Sequence, residues 1–512
     1  MVATMDDARP LELTGLTLDS FADRPVAVLG LARSGLALAR FLHDHGARVT
    51  AYDQRSLGDL AEAVESLEGR PIRLLVGPEV DPAEVLRGQS LVTTSPSISS
   101  RYPTTEPRLR AALARLEAEG TTPVISEVDL FLRLCPAPTV GVTGTKGKTT
   151  TASLAAAVLE QGEAPVLLGG NIGTPLVERL PELTPEHRVV LELSELQLPT
   201  LSRGTTVAVY THVTEDHLDR HGSLEAYRDV KRRLAELVPG DGAVVLNDED
   251  PVSSDYGPAS GALEVRYRRG PAPAGGVGID EGWVVAAGVP SGPWSGHGER
   301  SSRGPVMSLE AVPLPGRHNL SNVLAAVAVG LLFGIPGERI GAGVAGFPGV
   351  PHRLETVAVS DGVRWVNDSQ GTQPDAVIAA LQAFPGADPL VLISGGRDKG
   401  ADYRSLAQVA AERASVVLLI GENAPRLEGE LSAAGHPAVE RHSSLEGAVR
   451  RAHEITGAAR PAGAARSAGT QEAVVLLSPA AASFDMFVDY AARGEAFRTA
   501  VEQLIGKAGS ER

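Results

Sequence analysis

The chain has 512 residues, 43% of them apolar, and a formal charge of −16. That length suggests roughly three domains, and the negative balance argues against a nucleic-acid backbone as partner. One cysteine, Cys135, excludes disulfides and cysteine metal clusters, and the longest apolar run, residues 323–335, is broken by Gly330 and Gly334 and too short to span a bilayer. The start carries Asp6 and Asp7 without an apolar core, so no signal peptide is expected and a cytoplasmic location is.

Residues 1–137 read as a Rossmann-like domain. An apolar strand, Pro25 to Gly30, runs into the loop Gly30-Leu-Ala-Arg-Ser-Gly35, a helix from Leu36 to His45, and a second strand, Arg48 to Asp53, that ends in an acid. This is a βαβ unit with a dinucleotide-type glycine loop. Ala32 stands at the middle glycine position and crowds a pyrophosphate, so a domain without bound dinucleotide is as good a reading. Strands Ser90 to Thr94 and Thr122 to Ser126 extend a parallel sheet, and Arg133 to Pro138 reads as a linker.

Residues 138–350 begin with the most informative stretch. The strand Thr139 to Val142 leads into Gly144-Thr-Lys-Gly-Lys-Thr149, and Lys148, Thr149 and Thr150 open an apolar helix. Strand, glycine loop, Lys-Thr and helix cradle a nucleotide triphosphate: backbone N–H groups face phosphates, lysine adds charge, and a hydroxyl reaches magnesium. The strict pattern needs a glycine where Val142 stands. Asn171 lies in the turn Leu167 to Thr174. The strand Arg188 to Ser194 places Glu192 among leucines, where a carboxylate is costly unless paired or bound to a cation. Val207 to Val213 feeds Thr214-Glu-Asp-His-Leu-Asp-Arg-His221, with His217 a candidate metal ligand. Lys231, on an amphipathic helix from Leu224 to Val238, reads by itself as solvated surface. Residues 251–310 read as small antiparallel strands joined by Gly/Pro/Ser loops. Asn319 and Asn322 share a face of the next helix, where capping and reading of an adenine edge are both open.

Residues 351–512 again alternate strands and helices, with strands at Arg364 to Asp368, Pro389 to Gly396, Ala414 to Gly421 and Glu472 to Ser478. A doubly wound fold is expected, with polar loops at one edge.

Gly144 to Thr149, Glu192-Leu-Ser194, Thr214 to Asp219, Gly316 to Asn322, Pro351-His-Arg353, Asn367-Asp-Ser369 and Ser478-Pro-Ala480 stand in the order found in Mur ligases. The chain resembles that family over nearly its whole length. It is most similar to the branch that adds D-glutamate to UDP-N-acetylmuramoyl-L-alanine, on the strength of Gly30 to Gly35 and Ser478 to Asp485. The resemblance implies an α/β protein of three domains: a Rossmann-like UDP-substrate domain (1–137), a central P-loop ATPase domain (138–350) and a Rossmann-like amino-acid domain (351–512). It implies a monomeric ATP-dependent amide ligase of peptidoglycan synthesis that works through an acyl phosphate with two magnesium ions.

By position, Gly144, Thr145, Lys146, Gly147, Lys148, Thr149, Thr150, Asn319, Asn322, Arg353 and Asp368 would hold ATP. Ser34, Asp53, Ser95, Asn171 and Ser194 would touch the UDP-substrate. Thr372, Lys399 and Ser483 would hold the amino acid. Thr149, Glu192, His217 and a carbamylated Lys231 would ligate magnesium, and Lys148, His217 and Lys231 would be catalytic. Four residues depart from the family pattern: Lys146, Ser97, Tyr490 and Gln370. The last stands where the branch usually has a lysine that pairs with the glutamate side chain, so a ligase using L-glutamate is the alternative.

Overall fold

The computed structural model describes residues 9–510 apart from Thr174, 215–222, Ser260, 297–300, Lys399 and 459–471. By contact the chain divides into two compact units, Met1–Val312 with Ser321–Gly346, and Pro313–Leu320 with Phe347–Arg512. The first unit holds two sheets and the second holds one.

The N-terminal sheet comprises β1 (Pro25–Leu29), β2 (Arg48–Asp53), β3 (Arg73–Val76), β4 (Leu91–Thr94) and β5 (Val124–Ser126), all parallel in the order 3-2-1-4-5. Helix Arg33–Asp44 packs Ala37, Leu38, Phe41 and Leu42 inward because those positions repeat at helical spacing. Of the expected linker Arg133 to Pro138, Arg133 and Leu134 instead close helix Glu127–Leu134, and residues 135–138 connect it to the next strand. Arg133 is held there by Asp129, one helical turn back, at 2.9 Å.

The central sheet has nine strands in the order β14-β13-β12-β11-β10-β9-β6-β8-β7. Strands β6 (Thr139–Thr143), β7 (Val166–Gly170), β8 (Arg188–Glu192), β9 (Val207–Tyr210), β10 (Ala243–Asn247) and β11 (Leu263–Tyr267) are parallel, and β12 (Val277–Asp280) bridges to β11 in the same sense. Only β13 (Trp283–Pro290) and β14 (Ser301–Ser308) are antiparallel. Residues 251–310 therefore hold the expected antiparallel pairs, β12 with β13 and β13 with β14, while β11 and its bridge to β12 continue the parallel part of the central sheet from β10.

The C-terminal sheet runs β15-β16-β20-β17-β18-β19, comprising β15 (Glu355–Ser360), β16 (Val363–Asn367), β17 (Leu390–Gly395), β18 (Val416–Ile420), β19 (Val439–Arg441) and β20 (Ala473–Leu477). Leu390 and Leu392 of β17 pack into one core with helices Pro374–Gln382 and Arg404–Arg413, while Val391 and Ile393 pack into another on the opposite face. A strand covered on both sides has no solvent face, so it reads as a continuous apolar run.

Within the first unit, acids of helix Glu127–Leu134 join the N-terminal sheet to the central one. Asp129, fully buried, accepts the N–H of Ser202 at 2.7 Å and of Arg203 at 3.2 Å. Arg40 grips Glu178 through two hydrogen bonds of 2.7 and 3.0 Å. Glu127 accepts the N–H of Val177, and burial pushes its carboxyl up to about 7, with Arg33 nearby pulling the other way. Its proton is held more tightly in the folded state than in the unfolded chain, so the fold is penalised progressively as pH rises from the usual carboxyl value of 4.5 to about 7, by on the order of 3 kcal/mol in all, and no further above that. Glu127→Gln keeps an acceptor and removes the charge. Urea unfolding is expected to show the variant more stable than the wild type at pH 8, by up to ~3 kcal/mol, with the difference gone near pH 4. A difference independent of pH would contradict this account of Glu127.

Candidate active site

Strand β6 lies inside the central sheet between β8 and β9, so the loop that leaves it opens at the carboxyl edge of a parallel sheet. Helix Lys148–Leu159 begins at once behind it, capped by Gly147 at φ 93°. Gly144 has φ 142°, and a Cβ there would collide with Thr211 Oγ1. Both glycines sit where a side chain is excluded by conformation and by space.

The loop is tied down from β9. The carbonyl of His212 accepts the N–H of Thr145 at 2.6 Å and of Lys146 at 3.3 Å. Thr145 Oγ1 donates to the Thr214 carbonyl at 3.0 Å and lies 2.9 Å from the Tyr227 hydroxyl. Lys148 Nζ folds back to the Thr145 carbonyl at 2.9 Å. Thr149 and Thr150 occupy the first helical turn, and Thr151 Oγ1 donates to Asn322 Oδ1 at 3.2 Å. The result is a helix N-terminus fronted by a pinned loop with a lysine over it, which is a receptor for phosphate oxygens.

Glu192 ends β8, paired through Val142 to β6, and is 3% exposed. Its Oε1 accepts from Asn171 Nδ2 at 2.8 Å, while the buried Oε2 has no hydrogen-bond partner among the described residues. Glu192 thus faces the interior and not solvent. Lys231 is fully buried, with Nζ 3.4 Å from Thr143 Oγ1 and 5.4 Å from the centre of the Tyr227 ring. The surface reading of Lys231 was therefore wrong: its helix turns Tyr227, Lys231 and Leu234 inward, and charge alone could not reveal that a basic residue lies on the buried stripe. A buried carboxylate oxygen without a donor, beside hydroxyls and a phosphate cradle, is a donor set suited to a divalent cation. His217 lies outside the described residues.

In the N-terminal sheet, Asp53 ends β2 and accepts the N–H of Leu31 at 2.8 Å, closing the glycine loop. Burial opposes ionisation of Asp53, but hydrogen bonds from Arg55 and from the Leu31 and Arg55 N–H groups outweigh it and hold the carboxyl below its usual value. Ser95 Oγ reaches the Gly30 carbonyl at 3.3 Å, and Ser34 lies half-buried in the first turn of helix Arg33–Asp44. Asn171 is placed on Glu192 and Ser194 on Gln197, whose Oε1 accepts the Ser194 N–H at 2.8 Å.

In the second unit, Asp368 follows β16. Burial pushes its carboxyl up to about 6, against hydrogen bonds from Ser478 Oγ at 2.6 Å and the Leu354 N–H at 3.2 Å. Thr372 is half-buried in the same loop, and Ser483 is buried in the loop after β20. Asn319 Nδ2 donates to the Pro315 carbonyl at 2.7 Å. Lys399 lies outside the described residues. Three residues that carried no motif hold these groups in place: Gln197; Asp250, which accepts the Val213 N–H at 3.0 Å; and Arg493, 1% exposed, which donates to the Ser369 carbonyl at 2.8 Å. A buried arginine in a C-terminal helix was the one available signal, and periodicity does not separate it from a surface one.

The fold and the loop together define a nucleotide-using α/β enzyme of three sheet domains. A family model described as the Mur ligase middle domain matches residues 142–330, and one described as the Mur ligase glutamate ligase domain matches residues 352–481. The UDP-N-acetylmuramoylalanine--D-glutamate ligase of Symbiobacterium thermophilum is 35% identical over 480 residues, covering 93% of this chain and 98% of that protein. The protein of the same name from Anaeromyxobacter dehalogenans is 40% identical over 477 residues, covering 92% and 96%. Among solved structures, UDP-N-acetylmuramate-alanine ligase MurC from Thermotoga maritima superposes with a TM-score of 0.54 at 18% identity, over 94% of this chain and all of that one, a likeness of fold alone. The chain belongs to the Mur ligase family.

Gly147→Ala is expected to weaken nucleotide binding at least about tenfold in calorimetry, because its Cβ would stand 2.5 Å from Asn322 Oδ1 at a positive φ. Unchanged affinity would mean that the loop is not the cradle described.

Proposed function

We propose that this chain joins D-glutamate to UDP-N-acetylmuramoyl-L-alanine, driven by ATP, in peptidoglycan synthesis. The observation that carries the reading is a convergence at one edge of the central sheet. A pinned phosphate cradle, a buried carboxylate oxygen without a donor at Glu192 and a fully buried Lys231 surround the end of β6. Relatives 35–40% identical across more than nine-tenths of the chain carry this activity in their names, which supports the choice of substrate.

In this reading Gly144 to Thr150 receive the phosphates, and Thr149, Glu192, His217 and Lys231 as its carbamate hold magnesium at two sites. Magnesium, when bound, supplies neutralisation of the charge on the transferring phosphoryl group. Lys148 adds a fixed positive charge to the same phosphates, and Asn171 fixes the orientation of Glu192. Asn319, Asn322, Arg353 and Asp368 complete the ATP site. Ser34, Asp53, Ser95 and Ser194 serve the UDP-substrate, with Asn171 shared between that substrate and Glu192. Thr372, Lys399 and Ser483 serve the amino acid. The domains are 1–137, 138–350 and 351–512.

The substrate carboxylate attacks the γ-phosphorus as the bond to the β-phosphate oxygen breaks, giving an acyl phosphate and ADP. The amine of glutamate, having lost a proton, attacks the acyl carbon and phosphate leaves. Exclusion of water protects the acyl phosphate between the steps. A second reading, L-glutamate as acceptor, draws on Gln370, which stands where a cation for the side-chain carboxylate would be expected.

Phosphate release with UDP-N-acetylmuramoyl-L-alanine and ATP is expected to be at least about tenfold faster with D-glutamate than with L-glutamate. Lys148→Ala is expected to lower it by roughly a hundredfold or more. Preference for L-glutamate would replace the acceptor, and no release with either would remove the assignment.

A further inference from the structure

We propose that Gln370 is a positioning residue for Arg353 and does not contact the side chain of the incoming amino acid. The proposal rests on the reading of Arg353 as a ligand of ATP. Gln370 lies two residues beyond Asp368, and it makes two bonds to one turn. Its backbone N–H donates to the His352 carbonyl at 2.9 Å, and its side-chain Oε1 accepts Arg353 Nε at 2.8 Å. That turn is unusual in its backbone. His352 has φ 61° and Leu354 has φ 44°, so residues with side chains occupy the left-handed region on both sides of Arg353. Such conformations are strained for residues with side chains and persist only where the surroundings hold them. Here Leu354 donates to Asp368 Oδ1 at 3.2 Å, His352 to Glu355 Oε2 at 3.0 Å, and Gln370 closes the third side.

The guanidinium is left with a direction. Nε is occupied by Gln370, whereas Nη1 and Nη2 make no hydrogen bond or ion pair with any described residue. Those two nitrogens form the end of the fork that grips phosphate oxygens in pairs. The identity of residue 370 then matters through charge. An amide oxygen accepts from Nε while leaving the guanidinium fully positive. A lysine has no acceptor and would set a second cation beside Arg353. A glutamate would accept well but cancel the charge meant for phosphate. Glutamine alone among the three orients Arg353 without neutralising it. This accounts for the missing lysine as a change in how the ATP side is held.

The test measures ATP binding by calorimetry on the full chain, with KM values for ATP and for D- and L-glutamate where turnover is seen. Gln370→Ala is expected to raise the Kd for ATP roughly tenfold, and Gln370→Lys more, while KM for either glutamate stays within about twofold. In an Arg353→Ala background, Gln370→Ala is expected to add nothing, as residues acting as one unit do. A Gln370→Lys protein with lower glutamate KM and unchanged ATP affinity would overturn the proposal by placing residue 370 in the amino-acid pocket. Equal loss of ATP and glutamate binding together with a lowered Tm would overturn it as well, as the mark of a purely structural role. Because ATP affinity is read without an acceptor, the proposal stands or falls separately from the identity of the substrate.

Discussion

The chemistry of the central sheet depends on one backbone acceptor, the carbonyl of His212. Two successive N–H groups of the phosphate loop, those of Thr145 and Lys146, end on it. A glycine loop free of such a tie would sample many conformations, and the entropy of ordering it would fall on ligand binding. Anchoring the loop to the exit of β9 removes that cost beforehand. The same anchor sets the start of helix Lys148–Leu159, so Lys148 and Thr149 inherit their positions from a strand that is remote in sequence and adjacent in the sheet.

In both units the fold keeps ionisable groups where water would normally be needed. Lys231 and Glu192 are buried at the edge of the sheet, Glu127 and Asp129 at the joint with the N-terminal sheet, and Asp368 and Arg493 in the second unit. Most are answered by hydrogen bonds. Asp129 takes backbone N–H groups, Asp368 takes Ser478 and Leu354, and Arg493 takes carbonyls and Ser369. Glu192 differs in keeping one oxygen without a donor among the described residues. A structural carboxylate is driven to be satisfied, so an unanswered one beside a phosphate cradle has the character of a ligand in waiting.

The loop Gly144 to Thr149 was legible because its chemistry is local: glycines for the turn, lysine for charge and a hydroxyl lie within six consecutive residues. The βαβ unit ending at Asp53 was legible for the same reason, and the structure adds only that the acid closes the loop through the Leu31 N–H. Lys231 was misread because its helix carries three basic residues in a row, Lys231, Arg232 and Arg233, and only one faces the core. In residues 251–310 the antiparallel strands were legible but the parallel pairing of β11 with β10 was not, because strand direction is decided by the neighbour, which the segment itself does not encode.

By itself, the order of residues determined the alternation of strands and helices, the phosphate loop, and the set of motifs in their sequence, since each depends on contacts within a dozen residues. The burial of Lys231, the bond between Asn171 and Glu192, the anchoring of the loop on His212 and the tie between Gln370 and Arg353 were decided only by tertiary structure. Each joins groups separated by more than ten residues, and whether such a pair meets depends on sheet order and register rather than on either residue alone.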